Sequence, residues 1–423
     1  MAKRLTWFIV GGLLLGLIVG LAINHAIDDG SAAAAARLKG IAGNFSIGTT
    51  VFLRLIRMII APLVFGTLVS GIAQMGDGAA LGRVGARAIG WFLLASLLSL
   101  GLGLLLVNLL HPGVGVNLPI PPAGADTGVS TEAFSLAKFV THIFPASMID
   151  AMAQNEVLQI VVFSVFVGVA ITGVGEAARP LVRAVEALVP VMLRVTDYVM
   201  RVAPLAVFCA VAATLVERGP AVIGQLAYFM GSFYLALLLL WAILLGAGAL
   251  FIGRRIIDLV RVIREPLLIA FTTASSEAAY PRMLEALERF GIPNRIASFV
   301  LPLGYSFNLD GSMMYCTFAS LFIAQAYGIH LTLGTQVAML LFLMISSKGI
   351  ASVPRASLVV IAAVLPAFHI PGEGLLLILA VDHFLDMGRT ATNVVGNAVA
   401  NAVIARWEGG FERPMPGLLE PQA

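Results

Sequence analysis

The sequence predicts an all-α, polytopic membrane protein, and three observations carry that prediction. Of the 423 residues, 59% are hydrophobic and only 12% charged, where an ordinary globular domain has about a quarter charged residues. Mean hydropathy is strongly positive, at +0.97. Uncharged apolar stretches also recur along the chain, long enough at about 1.5 Å per residue to cross roughly 30 Å of hydrocarbon.

The first stretch, Leu5 to Ala22, carries no ionisable side chain. Lys3 and Arg4 precede it as they would a signal peptide, but the run exceeds a typical signal core and many similar runs follow, so it reads as a first span. Phe45–Met75, Ala86–Leu110, Val157–Val174, Leu181–Val216 and Ile223–Ile252 read as the next five. Arg83 and Arg87, then Arg179 and Arg183, then Arg254, Arg255, Arg261 and Arg264 fall in alternate connections. The Pro-rich loop Pro112–Ser130 has neither Lys nor Arg, which predicts a cytoplasmic N-terminus. The net charge of +3 lies in these short connections rather than in a basic arm, which argues against a nucleic-acid partner. Cys209 and Cys316 sit in apolar runs and read as small buried hydrophobes, not as a disulfide or metal pair. Arg54, Arg57, Arg194, Asp197 and Arg201 lie inside apolar stretches and read as snorkelling or interior pairing, with no function assigned.

Beyond Arg264 the pattern changes. Polar, helix-breaking clusters interrupt shorter apolar runs: Thr272 to Glu277, Asn308 to Ser312, and Ser346 to Gly349. Such backbone is tolerated at membrane depth only inside protein or along a wet cavity. The first and third clusters lie between half-length runs, Pro266–Ala270 with Ala278–Leu287 and Val337–Ile345 with Leu358–Leu365, as expected of re-entrant hairpins. Paired interrupted segments point to a transporter binding site.

The final span, Gly372 to about Trp407, is expected to begin as a plain apolar helix and then to carry Asp382, Asp386, Arg389, Asn393 and Asn397. Their spacings of four, three, four and four put them on one helix face. In lipid a polar stripe must face protein or water. One reading is a structural Asp386–Arg389 ion pair. The other is an anchored zwitterion with a second carboxylate: the guanidinium fork of Arg389 grips the carboxylate, Asp386 accepts from an ammonium, and Asn393 meets both donors and acceptors. Ser275 and Ser276 at a hairpin tip offer a site for the other carboxylate. Asn308-Leu309-Asp310-Gly311 breaks the helix that starts near Arg295. Asp310 there either caps the second half-helix, or joins unwound carbonyls as a hard-oxygen cation site, or titrates.

Ser275-Ser276-Glu277, Asn308-Leu309-Asp310-Gly311-Ser312, Ser347-Lys348-Gly349-Ile350-Ala351 and Asp386-Met387-Gly388-Arg389-Thr390 resemble, in order and spacing, the signature motifs of the dicarboxylate/amino acid:cation symporter (glutamate transporter) family. The resemblance covers nearly the whole chain. It implies eight transmembrane helices, two re-entrant helical hairpins, a homotrimer, and a transport domain moving like an elevator against a fixed scaffold. On that basis residues 1–264 form six spans, mainly scaffold and trimer contacts, with the third and sixth spans joining the transport domain. Residues 265–410 form the transport core, and 411–423 a cytoplasmic tail. Carried over by motif, Arg389 is the side-chain carboxylate ligand, Asp386 the amino ligand, and Thr390 and Asn393 are further contacts. Ser275, Ser276 and Ser352 belong to the hairpin tips. Asn308, Asp310 and Asp382 are positions at which a Na⁺ would bind.

Keeping both Asp386 and Arg389 favours glutamate or aspartate over a C4-dicarboxylate, the alternative substrate. The sodium-coupled pattern is broken, however, at Leu309 for a methionine, at Asn397 for an aspartate, and at Phe92 and Ala95 in the third span. Each change removes an oxygen, sulfur or charge that Na⁺ would use. Proton coupling is therefore expected, with Glu277 either a proton carrier or a cap of its half-helix. The arginine common before the hairpin serines is Ala274 here, while Arg355, beside the second tip, either supplies that charge or reaches solvent. An intramembrane aspartyl protease would need two carboxylates sharing a proton, which Arg389 opposes. A channel would not need so firm a grip on one zwitterion. The expectation is a non-enzymatic inner-membrane symporter with both termini cytoplasmic, no cofactor, H⁺ and possibly Na⁺ co-transported, and the lipid bilayer as its surroundings.

Overall fold

The computed structural model describes residues 2–75, 78–115, 141–219, 226–346, 356–379 and 381–411. Ser352 and Arg355 lie outside these residues, as does the Ser347–Ala351 motif. Among the described residues every regular element is helical. Five stretches are long and apolar enough to cross a membrane: Trp7–Ile27, Ala32–Ala73, Gly82–Leu110, Val157–Met200 and Ala227–Ile252.

The N-terminal part comprises α1 (Ala2–Ile27), α2 (Ala32–Met75), α3 (Gly78–Leu110), the short α4 (Met148–Gln154), α5 (Val157–Val174), α6 (Arg179–Met200), α7 (Ala203–Arg218) and α8 (Ala227–Ile252). Helix α1 packs on α7 through glycines one turn apart. A Cβ at Gly12 would meet the Pro204 carbonyl oxygen at 2.4 Å, and one at Gly16 the Phe208 carbonyl oxygen at 2.7 Å. Small residues at such spacing let two backbones meet where lipid supplies no hydrophobic drive for association.

Two sequence boundaries change. The run Leu181–Val216, read as one span, is two helices, α6 and α7, separated at Arg201–Val202. Pro204 lacks the N–H that would continue the ladder and restricts the residue before it, so it starts a helix better than it extends one. The run from Gly372 is also not continuous. A short α16 (Leu375–Leu379) precedes α17 (Asp382–Trp407), which opens on Asp382, a carboxylate placed where the helix dipole favours it.

Between these parts lie α9 (Arg255–Val262), α10 (Arg264–Thr273), α11 (Ser276–Phe290), α12 (Asn294–Phe307), α13 (Asp310–Ala326), α14 (Leu333–Ser346) and α15 (Ala356–Val364). The junction of α10 and α11 is sharp because Ala274 is left-handed, at φ 49°, and Ser275 N-caps α11. Asn308 and Leu309, both non-helical, divide α12 from α13. Helix α17 lies at the centre, packed against α8, α10, α11, α12 and α13. Each of its residues from Met387 to Ala405 is buried.

Candidate functional site

A helix buried over five turns would normally be apolar, yet α17 keeps its polar stripe inside. Arg389 is only 4% exposed. Its Nε donates to Asp386 Oδ1 at 2.7 Å, and Thr390 Oγ1 donates to the same oxygen at 2.9 Å. The guanidinium lies 4.9 Å above the Tyr315 ring, and the Tyr315 hydroxyl donates to Asp382 Oδ1 at 2.7 Å. Carboxylate, aromatic face and second carboxylate thus fix the arginine in one orientation. One edge stays uncommitted: Nη1 is buried with no hydrogen-bond partner among the described residues. A buried charged donor left unpaired is costly and marks a place for an anion. The Asp386 side chain keeps 18% exposure, so the carboxylate is not sealed off.

One turn on, Asn393 joins α17 to the broken helix. Its Oδ1 accepts from the backbone N–H of Gly311 at 2.9 Å and of Ser312 at 3.3 Å, and its Nδ2 donates to Ser312 Oγ at 3.1 Å. These are the orphan donors at the start of α13, so a side chain from another helix caps it. Asp310 is the first residue of α13 rather than its cap, and its Oδ1 accepts from Ser99 Oγ at 3.4 Å. Gly311 is required here, because a Cβ would meet the Arg389 carbonyl oxygen at 2.2 Å.

A further turn along, Asn397 Nδ2 donates to the carbonyls of Asn393 at 2.9 Å and Asn308 at 3.4 Å, while Asn308 Nδ2 lies 3.4 Å from Asn397 Oδ1. Asn308, Asp310 and Asn397 therefore gather around the helix break. Asp382, grouped with Asn308 and Asp310 in the sequence, instead engages Tyr315. In the hairpin, Ser275 Oγ accepts from the Ala278 N–H at 3.2 Å, which commits it to capping, and Ser276 is the first residue of α11. Glu277 lies 3.6 Å from Arg57 Nε of α2. Arg57, read as either snorkelling or interior pairing, is half-exposed and pairs with a residue singled out separately.

The sequence profile of the sodium:dicarboxylate symporter family matches residues 5–407. The chain belongs to that family. Its relatives include a proton/glutamate-aspartate symporter of Escherichia coli strain K12, 39% identical over 97% of this chain and 94% of that one. A proton/sodium-glutamate symport protein of Bacillus caldotenax is 37% identical over 96% and 95% of the two chains. A C4-dicarboxylate transport protein of Laribacter hongkongensis is 39% identical over 95% and 89%. Two residues of this polar cluster escaped the sequence reading. Tyr315 looked like one more aromatic in an apolar run. Ser99 had a weak signal, lying one helical turn beyond Ser96.

Proposed function

We propose that the chain imports an acidic amino acid, glutamate or aspartate, by symport with H⁺. The observation that carries this is the buried, oriented Arg389 with its uncommitted Nη1, beside the partly exposed Asp386 carboxylate. A substrate side-chain carboxylate takes the guanidinium edge, and the ammonium group takes Asp386 with Thr390 beside it. Asn393, Ser276, Ser352 and hairpin-tip backbone are the remaining contacts in this proposal, with Arg355 supplying its charge beside the second tip.

Proton coupling is supported by the amide of Asn397. Its NH₂ donates to the carbonyls of Asn308 and Asn393, oxygens for which a cation would compete. Glu277, at the junction of α10 and α11 and partly open to water, is the proposed carrier. The proposed architecture has eight spans, two re-entrant hairpins, both termini in the cytoplasm of an inner-membrane homotrimer, and an elevator motion of residues 265–410 with the third and sixth spans.

A C4-dicarboxylate is the second reading. Asp386 Oδ1 already accepts two internal donors, so the arginine can serve a substrate without an ammonium group, and some relatives carry that substrate in their names. Uptake of labelled aspartate and succinate by proteoliposomes, with each as competitor of the other, separates the two. Preference for succinate, or aspartate affinity unchanged in Asp386→Ser, selects the dicarboxylate.

A further inference from the structure

Away from the polar stripe, a second concentration of charge lies where α11 meets α6. Arg282 of α11 is the hub: its Nη2 donates to Asp197 Oδ1 of α6 at 2.6 Å, and its Nη1 to Glu285 Oε2 of its own helix at 2.9 Å. Its Nε lies 3.5 Å from Glu265 Oε1 of α10. Arg289 approaches Glu285 at 4.0 Å, and Arg194 approaches Asp197 at 3.8 Å along α6. Among the described residues, the contact of this network that crosses from the hairpin to the N-terminal helices is Arg282 with Asp197. A second contact crosses nearer the hairpin's junction, Arg57 of α2 with Glu277.

The distribution of charge on the two sides is informative. On the hairpin side Arg282 and Arg289 balance Glu265 and Glu285, and on the α6 side Arg194 balances Asp197. Breaking the Arg282–Asp197 contact therefore leaves the network's charges on each side paired among themselves. Arg282 keeps two carboxylates, and Asp197, already 38% exposed, keeps Arg194 and water. A contact meant only to hold the fold would gain from exclusive partners, since a buried charge stripped of its partner is strongly destabilising. Here each partner has a replacement on its own side, which makes the crossing pair separable at low cost.

We propose that the Asp197–Arg282 pair is a releasable lock that holds the hairpin against α6 in the state described here and slows its departure during transport. The lock rests on the elevator reading above. Its test uses the full-length protein in proteoliposomes, with whichever of labelled aspartate or succinate the wild type accumulates. Asp197→Asn should raise the saturated uptake rate by about two- to fivefold, the scale of a partly exposed ion pair. Substrate affinity in detergent should stay unchanged, and Asp197→Glu should restore the slower rate. An unchanged or lower rate in a correctly folded Asp197→Asn protein overturns the lock.

The motion itself is tested separately. In a Cys209→Ala, Cys316→Ala background, Asp197→Cys and Arg282→Cys are bridged with a bifunctional thiol reagent. Bridged protein should bind substrate but not transport it. Continued transport by bridged protein would overturn the movement of hairpin against α6 and the lock with it. Blocked transport together with an unaltered Asp197→Asn rate would overturn the lock alone.

Discussion

The helices before Arg264 and those after it bury polar side chains by different means. In the first part hydroxyls typically fold back on their own helix: Thr67 bonds the Leu63 carbonyl, Ser164 that of Ile160, Thr196 that of Met192, and Thr214 that of Ala210. In the second part hydroxyls such as Thr272, Thr317 and Thr392 fold back in the same way, but amides and a phenol also reach between helices, Asn393 to Gly311 and Ser312, Asn397 to Asn308, and Tyr315 to Asp382. A hydroxyl returned to its own carbonyl sits in an apolar interior at little cost and fixes no neighbour. Polar groups that depend on another helix set its register, and losing one partner leaves the other stranded. The difference separates a frame held mainly by apolar packing, with a few polar links such as Asn24 to the Val216 carbonyl, from a cluster whose geometry is specified by links between helices.

The comparison breaks most severely at Arg389. Arg389→Cys leaves Asp386 without its ion-pair partner inside the protein, a loss on the order of 3–5 kcal/mol. Uptake of labelled substrate should fall by more than about 100-fold while the protein still elutes as a folded species, and unchanged uptake would remove Arg389 from the site. Tyr315→Phe sharpens the same region with a smaller effect. The ring under the guanidinium remains while the hydroxyl on Asp382 is lost. Substrate affinity measured by calorimetry should weaken about fivefold, roughly the 1 kcal/mol of one hydrogen bond. Affinity equal to wild type would mean that Asp382 does not help to orient Arg389. Ser164→Ala, in the first part, should change thermal stability by less than about 1 kcal/mol and leave uptake alone. A large loss there would erase the distinction between the two parts.

Much of this was legible in the sequence. The arginine-bearing connections and uncharged runs mark the apolar helices. The change of texture after Arg264 marks where the helices break, and the four- and three-residue spacings of α17 place its polar groups on one face. The α6–α7 division and the break before Asp382 were not legible, because apolar residues flank both, Arg201 on its own reads as snorkelling or interior pairing, and local backbone chemistry decides where the helix stops. Tyr315 was invisible because its role comes from an approach of α13 to α17 that no spacing within one helix encodes. Asn393 was read as a substrate contact from its place on the stripe. Its bonds to Gly311 and Ser312 depend on how closely two helices pack, and that closeness is set by Gly311 on the facing helix α13.

The central claim, proton-coupled uptake of an acidic amino acid, meets its most direct test in proteoliposomes given an inward pH gradient in sodium-free buffer. Labelled aspartate or glutamate should accumulate above its external concentration, and collapse of the pH gradient with a protonophore should release it. Accumulation that requires external Na⁺ and ignores the pH gradient would contradict the coupling. Accumulation of succinate with exclusion of both amino acids would contradict the substrate.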